Sequence, residues 1–147
     1  MKILLLINEL IYDCGYGSAS LKERMRFSER TLPTMNAVLI YTAAGDTEGS
    51  MGGLVRQGLS DRLPQLIKSA ILRASWCSSD PVCLESSGQG PAGMNMAACH
   101  SCALLPETSC ESMNLLLDRT MLVGSLKNPE IGFFLTFFRV SRKELRY

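Results

Sequence analysis

Residues 77–110 read CSSDPVCLESSGQGPAGMNMAACHSCALLPETSC, and this stretch governs how the rest of the chain is understood. It holds five of the six cysteines in a sequence of 147 residues. Such a cluster can be a set of disulfide staples, a thiol reaction centre or a metal site. Cys99 and Cys102 form a CxxC, a spacing at which one tight turn aims two sulfurs at one ion. Cys110 follows beyond Pro106, while Cys77 and Cys83 come from the far side of a linker with Gly88, Gly90, Pro91 and Gly93. A CxxC alone says little. With three further cysteines inside 34 residues it points to tetrahedral zinc.

Five sulfurs are one more than a tetrahedron takes. The expected ligands are Cys77, Cys99, Cys102 and Cys110, with Cys83 able to replace either Cys77 or Cys110. His100 sits beside a ligand and is expected to face away from the ion. Cys14, far upstream, reads as a buried thiol. A redox CxxC needs a strand-to-helix setting without surplus thiols. A catalytic zinc keeps an open position and needs a base beside it. The deaminase pattern requires H-x-E, whereas His100 is followed by Ser101 and Cys102. Asp80, Glu107 and Glu111 lie near in sequence, yet no spacing pairs one of them with a metal-bound water. These absences favour a structural zinc.

Disulfides would require export. The opening MKILLLINELIY offers only a five-residue apolar run before Asn8 and Glu9, and no small-residue cleavage site follows. Ile3, Leu6, Ile7, Leu10 and Ile11 recur instead at helical spacing, predicting a helix over 3–13. No stretch has the apolar length to span a bilayer. The expected location is cytoplasmic, where thiols stay reduced. Hydrophobic residues make up 46% and charged residues 20%, as in an ordinary globular domain, and the net charge is +1. That balance gives the whole chain no pull toward nucleic acid or acidic membranes, so any such contact must come from a local patch.

The clearest helix is predicted over 60–76. Its apolar stripe is Leu63, Leu66, Ile67, Ala70, Ile71 and Ala74; Ser60 is the expected N-cap, and Pro64 is tolerated in the first turn. Upstream, LKERMRF alternates: Leu21, Glu23, Met25 and Phe27 share one face, and Lys22, Arg24 and Arg26 the other. That reads as a half-buried strand with a basic outer face. NAVLIYTA, residues 36–43, is a continuous apolar run and reads as a buried strand. The glycine-rich residues 45–53 read as a tight connection, because they lack a P-loop ending and carry Asp46 and Glu48. A further short helix is expected within 111–125, with Met113, Leu116 and Leu117 inward. PEIGFFLTFF reads as a strand or packed segment, and Arg139, Arg142, Lys143 and Arg146 make a basic tail. The expectation is one domain over 1–138 with a tail over 139–147. Its class is α/β, a small mixed sheet packed by helices with an irregular zinc-binding cysteine segment.

CSSDPVC, AACHSCALLPETSCESMNLLLDR, YTAAGDTEGSMGGLVRQG and ELIYDCGYGSASLKERMRF together resemble the MrfA-type zinc-binding domain. The likeness is greatest to the version at the C-terminus of DrmB-type proteins of the DISARM anti-phage defence system. The resemblance implies a structural, non-enzymatic zinc module joined to a helicase-type defence complex. Its partners would be a DrmA-like helicase and DNA backbone. It also implies metal positions at Cys77, Cys83, Cys99, Cys102 and Cys110, with Asn114, Asp118 and Arg119 as motif neighbours and Gly52 and Gly53 as the glycine pair. Lys22, Arg24 and Arg26 are the candidates for nucleic-acid contact. DrmB-type proteins carry a long region ahead of this domain, whereas this chain opens at the first helix and contains no Walker motif. The alternatives are a small zinc-dependent hydrolase and a stand-alone DNA-binding zinc module.

Overall fold

A computed structural model describes residues 2–28, 35–42 and 53–144. The expected glycine-rich loop therefore lies outside the described residues except for Gly53. The elements are helix α1 (Lys2–Cys14), strands β1 (Leu21–Ser28) and β2 (Met35–Thr42), and helices α2 (Gly53–Gln57) and α3 (Leu63–Ala74). Three more follow: the single-turn α4 (Val82–Glu85) and α5 (Thr120–Val123), and the terminal α6 (Leu135–Glu144). The class is small α/β.

The predicted first helix forms because Leu4, Ile7 and Leu10 return to one face. It stops at Gly15, whose φ of 70° lets its amide turn back to the carbonyl of Ile11 at 2.9 Å. Against α1 lies α3, which buries Leu66, Ala70 and Ala74 at intervals of four. The small alanines let the two helices approach closely. Arg73 on α3 bonds Glu9 on α1 at 2.7 Å and lies over the Tyr12 ring, 4.5 Å from its centre. Pro64 falls in the first turn of α3 as expected, but Arg62, with no side-chain cap bond, stands where Ser60 was expected. Leu21, Leu105, Leu117 and Leu122 close the same core from β1 and from the segment after the cysteines.

The sheet is narrower than a mixed sheet: among the described residues it is one antiparallel ribbon of β1 and β2. The alternation in β1 is as read over its first half, with Leu21 and Glu23 buried and Arg24 and Arg26 exposed, but Phe27, expected on the covered face, is exposed. β2 corrects its expectation. It is not buried, since Val38 and Leu39 are 47% and 59% exposed. An apolar run predicts a covered strand only when something packs on both faces, and β2 is the edge of a two-stranded ribbon.

Two expectations near the C-terminus also change. Residues 111–119 do not form a helix, because Met113, Asn114 and Leu116 have φ of 49°, 57° and 58°. Right-handed helix cannot pass through three such positions, so only Thr120–Val123 is helical. Leu116 is exposed, while Leu117 enters the core. PEIGFFLTFF becomes a short 3-10 turn leading into α6, which runs through the expected domain–tail boundary at 138/139. Arg139 there bonds Glu130 at 2.9 Å.

Candidate metal centre

Two short loops bring four sulfurs together. The first leaves the end of α3: Cys77 begins a turn closed by the Asp80 amide on its carbonyl at 3.0 Å, and α4 then carries Cys83. The second is the CxxC turn, closed by the amides of Cys102 and Ala103 on the carbonyl of Cys99 at 3.2 and 3.0 Å. The Sγ atoms of Cys77, Cys83, Cys99 and Cys102 all lie within 4.8 Å of one another. Contacts run 3.6 Å between Cys77 and Cys99, and 3.9 Å for both Cys83–Cys102 and Cys99–Cys102. A tetrahedron with Zn–S of ~2.3 Å has S···S of roughly 3.8 Å. Three of the six separations match that spacing and all lie within 4.8 Å, so the quartet is sized for zinc.

The expected ligand set is thereby corrected at one position. Cys83 joins Cys77, Cys99 and Cys102, and Cys110 stands elsewhere, buried in the core outside the quartet, where burial pushes its thiol pKa up. Sequence spacing pointed the wrong way, since Cys110 follows Cys102 by eight residues whereas Cys83 precedes Cys99 by sixteen. What decides is that Cys83 shares a loop with Cys77, whereas Pro106 and a 3-10 turn at Glu107–Ser109 carry Cys110 away. His100 is exposed beside the cluster, and Cys14, expected to be buried, is only half-buried, near Gln57.

The thiols are electrostatically interdependent. Burial opposes ionisation of Cys99, but the Ser101 amide and hydrogen bonds from Cys77, Cys83 and Cys102 outweigh it and bring Cys99 down to about 7. Burial and the neighbouring Cys99 push Cys83 up to about 11, and burial with adjacent sulfurs raises Cys102 as well. Ionisation of Cys99 thus works against ionisation of Cys83 and Cys102. A divalent cation at the centre of the quartet is what would let four thiolates coexist.

The shell around the sulfurs is built from backbone amides and polar side chains. The Ser79 amide points at Cys77 Sγ at 3.4 Å, and the Cys99 amide at Cys102 Sγ at 3.3 Å. Gln89 Oε1 accepts from the Ala98 amide at 3.0 Å and faces Cys83 Sγ at 3.7 Å. Arg119 is the keystone, with no exposed surface. Its guanidinium donates to the Ala97 carbonyl at 2.8 Å, the Ala74 carbonyl at 3.2 Å, and both Asp80 oxygens at 3.1 and 2.5 Å. One side chain thus ties the end of α3 and both cysteine loops together. Burial alone would depress its pKa; the Asp80 carboxylate outweighs that and keeps it charged. Asp80 also accepts from the Cys77 amide at 3.0 Å, so its oxygens are engaged in holding the loop.

The other motif neighbours complete this frame. Asp118 accepts from the amide and hydroxyl of Thr120 at 2.8 and 2.5 Å, closing the first turn of α5. Asn114 bonds both the amide and carbonyl of Leu105, at 3.2 and 2.6 Å. Asn95 is fully buried and joins the Asn114 carbonyl at 2.7 Å to the Leu117 amide at 2.9 Å. Asn95 and Gln89 escaped the sequence reading. Their signal is the glycine turn they flank, Gln89 and Asn95 exchanging two backbone bonds across Gly90 and Gly93. Lys22, Arg24 and Arg26 lie far along the chain, on the outer face of β1.

A small α/β body bearing four sulfurs on two loops defines a cysteine-quartet metal module. The sequence pattern of the MrfA Zn-binding domain matches residues 4–103, and the chain belongs to that family. The matched stretch contains all four quartet cysteines and ends before Cys110. The chain is 41% identical over 130 residues to "DISARM protein DrmB" of Bacillus paralicheniformis. That alignment takes in 88% of this chain but 22% of that protein, so the chain spans under a quarter of its relative.

Proposed function

We propose that this chain is a structural, non-catalytic zinc module serving a helicase-type DNA-defence complex as an accessory part. In this reading it is cytoplasmic and works beside a DrmA-like helicase. It touches DNA backbone through Lys22, Arg24 and Arg26. The observation that carries the structural role is the saturation of the site. Four sulfurs would fill the four tetrahedral positions, leaving none for water, and the carboxylate of the first loop, Asp80, is spent on Arg119 and the Cys77 amide. The likeness to a DISARM protein supports the defence setting. Among the described residues no helix is long and apolar enough to cross a membrane.

The test is zinc content by elemental mass spectrometry on protein purified without added metal, before and after chelation, followed by thermal unfolding. One zinc per chain and cooperative unfolding on its removal are expected. A zinc-free folded protein, or zinc-dependent hydrolysis of ester substrates, would overturn the reading. Co-expression with a DISARM-type helicase then tests the partner: retention of the chain on the tagged helicase is expected, and its absence sinks that half.

A further inference from the structure

The outer face of the β1–β2 ribbon carries more than charge. In antiparallel pairing, directly opposite residues share a face. Lys22 is opposite Tyr41, Arg24 opposite Leu39, and Arg26 opposite Ala37. The face is therefore three cations in one row beside a row of flat or apolar groups. The only acid in β1, Glu23, is turned to the buried side, and β2 has no charged residue. Arg24, Arg26 and Leu39 are exposed, while Lys22 and Tyr41 are half-exposed at the root of the ribbon. On a chain of net charge +1, this concentrates positive charge on one narrow strip.

We propose that this face binds single-stranded nucleic acid, Lys22, Arg24 and Arg26 holding phosphates while a base stacks on Tyr41 and another lies on Leu39. The proposal rests on the backbone contacts put forward above and names their substrate class. Charge complementarity selects a polyanion, and three cations at alternate positions stand about 7 Å apart, near the phosphate spacing of an extended strand. The second row selects between polyanions. Base faces are free in a single strand and hidden in a duplex, so half-exposed Tyr41 and exposed Leu39 beside the cations match the former. Among the described residues, Glu111 is the acid seen to contact this edge. Its Oε2 accepts from the Met25 amide at 2.8 Å, and its Oε1 stands 3.6 Å from Arg24. That makes it a competitor for Arg24, which an incoming phosphate must displace.

The experiment is fluorescence anisotropy with labelled dT20 and with a 20-base-pair duplex, using the zinc-loaded chain at several salt concentrations. Tighter binding of dT20 by at least tenfold is expected, with a salt slope near −2 from three phosphates at ~0.7 each. Arg26→Ala lowers that slope by ~0.7. Tyr41→Ser weakens dT20 binding about fivefold or more with the slope unchanged, and Tyr41→Phe restores it. Glu111→Gln, which keeps an acceptor for the Met25 amide, tightens binding. Equal or stronger duplex binding, no binding, or indifference to Tyr41 would each overturn the proposal. Zinc content and melting temperature of every variant separate this from failure of the module itself. Full zinc and an unchanged melt without dT20 binding sink only the ribbon's role.

Discussion

The cysteine segment and the ribbon are opposites. Between residues 77 and 119 regular structure is scarce, yet Cys77, Cys83, Asn95, Asn114 and Arg119 are all buried. The ribbon is fully regular, yet past Glu23 almost every side chain meets solvent. Backbone order and stability are thus supplied by different means. In the first region, side chains and a metal site satisfy the backbone groups that no helix or sheet pairs. In the second, the ladder pairs the backbone and little else is asked of the sequence. Perturbation should therefore hurt the irregular region most.

The largest effect belongs to the metal. Zinc binding at a thiolate site is worth on the order of 10 kcal/mol, comparable with the whole stability of a domain at about 5–15 kcal/mol. Chelation, or Cys83→Ser, is expected to release the metal and unfold residues 77–119. Hydrogen exchange should show protection vanishing at Met96 and Arg119 while α1 keeps part of its own. Cys110→Ser is the control that sharpens this, because Cys110 is buried outside the quartet. It should keep one zinc per chain. A chain that loses zinc on Cys110→Ser but retains it on Cys83→Ser would reverse the assignment.

Next comes the keystone. Arg119→Met keeps much of the side-chain bulk but leaves Asp80 and the Ala97 and Ala74 carbonyls without their donor. Breaking a buried pair on one side costs about 3–5 kcal/mol; Asp80 is partly exposed, so the lower end is expected. The measurement is chemical denaturation of the zinc-loaded protein. Arg119→Met with Asp80→Asn should recover part of the loss, since no carboxylate is then stranded. A loss below 1 kcal/mol would mean that zinc alone holds the loops.

How far this contrast was legible in the sequence follows from the same physics. Helices α1 and α3 could be read because their periodic burial is local information, and so could the two faces of β1 over its first half. Three of the quartet cysteines were also chosen, since CxxC spacing is itself geometry. The choice between Cys83 and Cys110 was not readable, because it depends on how Pro106 and the Glu107–Ser109 turn route the chain. The exposure of β2 was hidden for a related reason: composition shows that a strand is apolar but not how many neighbours it has. The left-handed residues Met113 and Leu116 left no mark at all, since neither type favours that conformation.

Asn114 gives a third, smaller test. Its φ of 57° suits asparagine, and its amide spans both backbone groups of Leu105. Asn114→Ala removes two bonds from buried groups and places an alanine in the left-handed region. About 2–3 kcal/mol should be lost in the denaturation midpoint, with zinc content unchanged. Asn114→Gly, which relieves the backbone but not the lost bonds, should recover a fraction of it. Equal losses in the two variants would assign the whole effect to the hydrogen bonds.

The ribbon should be the quiet member of the comparison. Leu39 is 59% exposed and lies opposite Arg24 on the outer face. Leu39→Thr exchanges an exposed apolar side chain for a β-branched residue that suits a strand, so stability should move by no more than about 0.5 kcal/mol. The reason is not that the ribbon is unimportant, but that an exposed side chain has little folded-state packing to lose. The proposed nucleic-acid contacts and stability then separate along the strand. Leu21 and Glu23 face the body, and changing them disturbs the fold; Leu39 and Arg26 face solvent, and changing them leaves it intact. A loss of 2 kcal/mol or more on Leu39→Thr in thermal denaturation would break that division. It would place a packed surface where the structure shows an open one, and the second copy that covered it would appear in sedimentation as a dimer.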